Sequence, residues 1–385
     1  MIKILTAHTL KIDEADAAVA ELLEQLDLGN RLLKNAVGIF TFHPEFLDSD
    51  VLKAVDEALP FATAGYTTPN AATRNIFGDM MFTVAVLTSD DVAFNAGISA
   101  PIAENPVRPV HELYARVAPP AMGKPALLLA FAPFTERMGG DDFVTLLDSA
   151  SGGVPIFGSL AFTHTSNFSG IGTCANGKYG ANALVLVALF GEVNPRFFIT
   201  DLPGEKEICQ RAIVTLAEGN RILRINNVSP VVYLESIGLA EHGEISPGIA
   251  SFPFILSLND GTRIARCASS ATKEGYIIVC GNMPRRVKVG FSDADADFVV
   301  QSVEKALAQV ASERSAENAL IFSCTSRKWT LGAAAEWEMK EITKAIGNSL
   351  SFQFAYSGGE ICPVKNSENR WVNRFHNFSM TTCLF

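Results

Sequence analysis

Hydrophobic and polar positions along the chain repeat a unit of apolar strand, amphipathic helix, second strand and polar Gly/Ser loop. The first copy has an apolar run at 35–42, helix positions Val51, Leu52, Val55 and Leu59, and a strand at 61–68 that closes on Gly65-Tyr66-Thr67-Thr68. The second has a run at 125–131, helix positions Phe143, Leu146, Leu147 and Ala150, and a strand at 154–161 containing Gly158-Ser159. The third has a run at 318–324, helix positions Ala335, Met339, Ile342 and Ile346, and the terminal segment Tyr356-Ser357-Gly358-Gly359-Glu360. Apolar residues three and four apart cover one helix face, so each helix is expected to lie on a sheet, with parallel βαβ pairing as the default.

A further strand is expected after each loop, at 80–87, 183–189 and 378–384. The loops at Gly65, Gly158 and Tyr356 then sit at equivalent strand ends, where ligands collect in open α/β sheets. The pattern changes between the second and third copies. Residues 213–227, 228–238 and 252–267, with turns at Glu218-Gly219-Asn220 and Asn259-Asp260-Gly261, read as short strands, a helix and a hairpin. A strand near Lys288 and a helix over 295–312 follow. The fold class is therefore α/β, with repeated strand-helix-strand units forming mixed sheets covered by helices. Pro203 and Gly204 interrupt the pattern, which places a boundary between modules 1–202 and 203–385.

The most concentrated chemistry lies at the C-terminus. A strand at 352–355 runs into Tyr356, Ser357, two glycines that permit positive φ, and Glu360. If that strand pairs with the terminal one, His376 and Asn377 fall beside Ser357 and Glu360; a tight turn with solvated ends has the same spacing. Composition narrows the function classes. The 31 basic and 41 acidic residues give a net charge of −10, which would repel a nucleic-acid backbone. No apolar run approaches the roughly 18 residues of a membrane span, and the N-terminal segment reads as a first strand and not a signal peptide. Seven scattered cysteines without a CxxC are the usage of a reducing compartment, so a cytoplasmic protein is expected. There is no GxxxxGK[ST], and Gly170-Ile171-Gly172 lacks the third glycine of a dinucleotide loop.

The motifs at 319–327 (Ala-Leu-Ile-Phe-Ser-Cys-Thr-Ser-Arg), around Glu336, at 356–361 and at Phe375-His376-Asn377 resemble, in that order, the signatures of the FIST sensory family. Looser matches are the Gly65 and Gly158 loops, Asn176-Gly177 and the segment from Val214 to Asn220. Gly358 stands where the family often has a bulkier residue, which makes that loop more flexible. The resemblance implies an N-terminal and a C-terminal FIST module. It also implies a non-catalytic sensor that binds a small molecule at the strand-end loops and signals to a histidine kinase, cyclase or cyclic-dinucleotide enzyme. The chain offers no room for such an output module, so the partner is expected to be a separate protein; a homo-oligomer is compatible with this.

A NosP-type subgroup of that family binds haem and senses nitric oxide, which would require an axial histidine in an apolar pocket. His164, flanked by Phe162 and Phe168, is the candidate metal ligand; a loop histidine among Thr163, Thr165 and Ser166 has the same look. His8, His43, His111 and His242 show no metal-ligand spacing with one another. The same segments suggest a ligand site made of Tyr66, Thr67, Ser159, Arg327, Tyr356, Ser357, Gly359, Glu360, His376 and Asn377. Arg327 has the planar fork for a carboxylate, from an amino acid or similar anion or from Glu360 within the protein. An enzyme using Cys324 or Glu360 with His376 is the alternative of a different class. Cys324 closes an apolar strand, where an inert buried thiol is usual.

Overall fold

The computed structural model describes residues 1–74, 76–102, 105–135, 138–163, 170–203, 212–313, 317–347 and 349–385. The three repeats become three helix-covered sheets. In the first unit the strands lie in the order Lys3–Thr9, Phe82–Ser89, Asn35–Phe42, Ala62–Thr67. In the second the order is Ala93–Ile98, Val185–Phe190, Leu127–Pro133, Ile156–Ala161, and in the third Arg196–Ile199, Met380–Leu384, Asn318–Cys324, Ser351–Ser357. The two strands flanking each helix are parallel, as the repeat predicts, and the strand after each loop returns antiparallel beside the first of them.

Each sheet would end on a bare strand, a template for unwanted pairing. A hairpin from another unit covers it. Thr173–Ala175 and Lys178–Gly180 of the second unit extend the first sheet, Glu360–Lys365 and Trp371–His376 of the third extend the second, and Ala71–Thr73 and Ile76–Gly78 of the first extend the third. The exchange closes a ring. The expectation that the terminal strand pairs with 352–355 is corrected here: Met380–Leu384 pairs with Asn318–Cys324, and Glu360 brings the chain onto the second sheet. His376 nevertheless reaches Glu360, because the two residues face each other across the hairpin.

The inner faces of the three sheets share one core containing Ile39, Tyr66, Leu129, Phe131, Phe157, Leu320, Phe322 and Ala355. Their outer faces are covered by the helices whose spacing was visible in sequence. Val51–Ala58 buries Val51 and Val55, Gly140–Ser151 buries Phe143 and Leu147, and Glu336–Ile346 buries Met339, Ile342 and Ile346. A separate seven-stranded sheet within 212–291, packed on helix Pro230–Ser236, has its own core and is inserted into the third unit. Helix Ala296–Ser312 then returns to that unit, capped at its start by Asp295, whose side chain accepts from Phe298 N at 2.8 Å. No helix among the described residues is long and apolar enough to cross a membrane.

Candidate functional site

The third strands of the three units end against one another at the centre of the ring. Phe162 N donates to Thr67 O, while Gly358 N and Leu160 N bond to Leu160 O and Gly359 O, all at 2.9 Å. Tyr356 N donates to Asn70 O at 3.0 Å, and Thr68 Oγ1 to Tyr356 O at 2.7 Å. The three loops singled out in sequence are therefore in mutual contact. Parallel register places Tyr66 beside Thr41, Ser159 beside Phe131 and Ala355 beside Phe322, facing the shared core. The Tyr66 ring stacks on Phe131 at 4.9 Å and meets the edge of Phe322 at 5.9 Å. Phe157 stacks on Phe322 at 5.1 Å, which completes an aromatic floor.

Glu360 is the polar centre of this cluster. The swapped hairpin sets it opposite both Ser159 and His376, and its carboxyl is fully buried. Ser357 Oγ donates to one oxygen and Ser379 Oγ to the other, the latter at 2.6 Å. Burial first, and the Cys324 thiol second, push the carboxyl well above the ordinary range, while the two hydroxyls pull it down. Burial prevails, because an ion deprived of water loses more than two neutral donors return. The turn that delivers Glu360 depends on one glycine: Gly359 has φ of 135°, and a Cβ there would lie 2.3 Å from the Phe375 ring. Gly358 does not have positive φ, contrary to the sequence expectation; it is small because the Phe162 and Phe134 rings close over it. Phe378, buried at φ of 57°, is a strained non-glycine residue at the turn that aims Ser379 at Glu360.

Other sequence candidates are committed elsewhere. Arg327 is fully buried and forms a pair with Glu338, its Nε and Nη2 each 3.1 Å from Oε1, with further bonds to Ser302 Oγ and Val299 O. Its carboxylate partner is thus Glu338 and not Glu360, although its charge is still felt at Glu360 and pulls that pKa down in part. Tyr356 points to the same carboxylate, its hydroxyl 2.9 Å from Glu338 Oε2. Thr67 Oγ1 donates to Gly172 O at 3.3 Å and accepts from Gly172 N at 3.0 Å, which fastens the hairpin from the second unit. His376 is buried, with Nε2 3.1 Å from Cys362 O, and burial pulls its pKa down to about 4. His164 lies outside the described residues.

Tyr66, Ser159, Ser357, Gly359, Glu360 and the adjoining His376 and Asn377 remain together. Two atoms among them are buried without a hydrogen-bond partner among the described residues: Tyr66 Oη and Asn377 Oδ1. Ser159 lies close enough to the Tyr66 hydroxyl to ease its ionisation, but burial dominates and keeps the phenol neutral. Of the enzyme alternative, Cys324 and His376 share no hydrogen bond among the described residues, whereas Glu360 and His376 do face each other across the hairpin. The Cys324 thiol is pushed far up by its neighbour Cys267 and by burial, and the His376 nitrogen faces a carbonyl. Glu338 and Ser379 were not singled out in sequence. A carboxylate beside Met339 on the apolar face of its helix was the available signal for Glu338; Ser379, between Phe378 and Met380, had none.

Two family models match the chain, the FIST N domain over residues 36–228 and the FIST C domain over 231–363. No curated protein matches. Two solved structures of cyanuric acid hydrolase, one from A. caulinodans, align over 100% of this chain and 99% of theirs. Their identities are 6% and 8% and their TM-scores 0.36 and 0.30, values that carry no argument about this chain. The two domain models together span most of the sequence, and the chain belongs to the FIST family of small-ligand sensor domains.

Proposed function

We propose that this chain is a non-catalytic sensor that receives a small, uncharged, hydrogen-bonding organic ligand at the centre of the ring and signals through a separate protein. The observation that carries this reading is the pair of orphaned buried atoms, Tyr66 Oη and Asn377 Oδ1, in the cluster around Glu360. Buried polar groups are nearly always bonded, and leaving one unpaired costs about 1–3 kcal/mol. A ligand able to donate to Asn377 and bond Tyr66 would recover that loss. Charge selects against an anion, since Arg327 is held by Glu338 and Glu360 is biased toward its neutral form. The amino-acid or organic-anion form is therefore the less favoured one at this site.

A haem does not fit the described part of the cluster, because His376 is enclosed and its Nε2 faces Cys362 O. The haem form, with nitric oxide as the signal, rests on His164 alone. A Soret band after haem titration, absent in His164→Ala, would select it, whereas a colourless protein would remove it. The organic-ligand form is tested by a thermal-shift screen of neutral amides, purines and pyrimidines against the wild type and Tyr66→Phe. At least one compound should stabilise the wild type and lose most of that effect in the variant. Stabilisation by none of them, or equal stabilisation of both proteins, would contradict the reading.

A further inference from the structure

The ring is approximately threefold, and one of its three seams departs from the other two in charge. In the first unit Asp56, on the covering helix, accepts a hydrogen bond from Thr63 Oγ1, and Asn176 of the swapped hairpin accepts from Thr63 N at 2.9 Å. In the second unit Asp148 of the covering helix accepts from Asn373 Nδ2 at 2.6 Å, and Asn373 Oδ1 accepts from Ile156 N at 2.8 Å. An acid and an asparagine close the seam in both. At the third seam the last turn of the covering helix carries Thr343, Lys344 and Ala345 instead of an acid.

Beyond the end of that helix, a cleft of about 520 Å³ opens where the first strand of the first unit meets residues 349–351 and Asn318 of the third. Lys3, Arg31 and Arg74 line it, with Asn30 and Ser351 as further polar groups and Glu317 as its one acid. None of the three cations has an acidic partner among the described residues, although the chain as a whole carries a net charge of −10. The cleft wall is fixed, because Asn318 ties the units together, accepting from Ile4 N at 2.8 Å and donating to Ile2 O at 2.9 Å. The volume lies within the several hundred Å³ usual for small-molecule sites. Three unpaired cations against one carboxylate leave an excess of two positive charges, and two of the cations are guanidinium forks suited to paired oxygens.

We infer that this cleft binds a compact organic or inorganic oxyanion carrying at least two negative charges, through Arg31, Arg74 and Lys3. The site is separate from the axial cluster, so its fate does not bear on the ligand proposed there. An acidic protein surface is a less suitable occupant, because the cations line a concavity and are not spread over a face.

Isothermal titration of the full chain with pyrophosphate, and separately with citrate, tests the assignment and tells phosphate from carboxylate. Saturable binding of at least one is expected, weakened at least tenfold in the Arg31→Gln/Arg74→Gln double variant and unchanged in Lys53→Gln, an exposed side chain outside the cleft. The affinity should also fall as salt rises, since the screening length shrinks from ~30 Å at about 0.01 M to ~8 Å at about 0.15 M. Thermal melts of the double variant should match the wild type, because both arginines are exposed. Absence of saturable binding of both anions, or binding by the double variant as tight as by the wild type, would overturn the site.

Discussion

At the scale of single residues, Glu360 shows how a carboxyl can be held in an aromatic core. Ser357 and Ser379 satisfy its oxygens, yet burial still pushes its pKa upward. The folded protein therefore holds this proton more tightly than the unfolded chain does. The stability that Glu360 contributes is full below the ordinary glutamate range and is lost as pH rises toward the raised folded value. Glu360→Gln should remove that loss. The difference in Tm between variant and wild type should move in favour of the variant as pH rises from acid to neutral, and a difference that stays constant would mean the carboxyl is ionised. His376 acts in the opposite sense, because its pKa is pulled down to about 4 and its contribution is lost as pH falls below about 6.5 through that value. Much of this cluster was legible beforehand, since Tyr-Ser-Gly-Gly-Glu and His-Asn stand out as polar groups at apolar strand ends. Their orientation was not, because whether Tyr356 turns toward the ligand or toward Glu338 depends on a helix that the local pattern does not place.

At the scale of elements, the covering helices and the strands they join follow from period alone, and the buried Arg327–Glu338 pair shows what period leaves out. Glu338 lies within the helix Glu336–Ile346 and is wholly buried, with the guanidinium as its one cationic partner beside the Tyr356 and Ser323 hydroxyls among the described residues. Glu338→Gln should cost about 3–5 kcal/mol by leaving Arg327 uncompensated. A loss below ~1 kcal/mol in denaturant unfolding would show that the pair is solvated. The parallel pairing inside each unit makes a second demand. A Cβ at Gly158 would lie 1.9 Å from Ala130 O on the adjacent strand, so Gly158→Ala should destabilise by ~3 kcal/mol. Gly152, whose added Cβ would meet nothing within 4 Å, is the contrasting site for space, although its φ of 64° still disfavours a side chain.

At the scale of the whole molecule, three units exchange hairpins in a ring and a fourth sheet is latched to its side. The exchange could not be read from sequence, because strand pairing between residues such as Ile361 and Gly158 leaves no local trace. What sequence did offer was the equivalence of the three loops, and their contact at the centre is its spatial counterpart. The latch is polar: Arg266 Nη2 bonds Asp141 Oδ1 at 2.6 Å and Nη1 bonds Phe375 O at 3.2 Å, while Asn282 N bonds Asp141 Oδ2 at 2.6 Å. Asp141→Ala should free this edge, raising hydrogen exchange in Arg263–Arg266 while Asn318–Cys324 stays protected. Equal exchange increases in both strands would mean that the inserted sheet and the ring open as one body.

The central claim, that the axial cluster is a receptor for a neutral ligand, is tested most directly by a crystal structure with a compound from the thermal-shift screen. The account expects that compound on the aromatic floor, within hydrogen-bond distance of Tyr66 Oη and Asn377 Oδ1, with Arg327 still paired to Glu338. A compound bound elsewhere, with the cluster closed and both atoms bonded to ordered water, would contradict it.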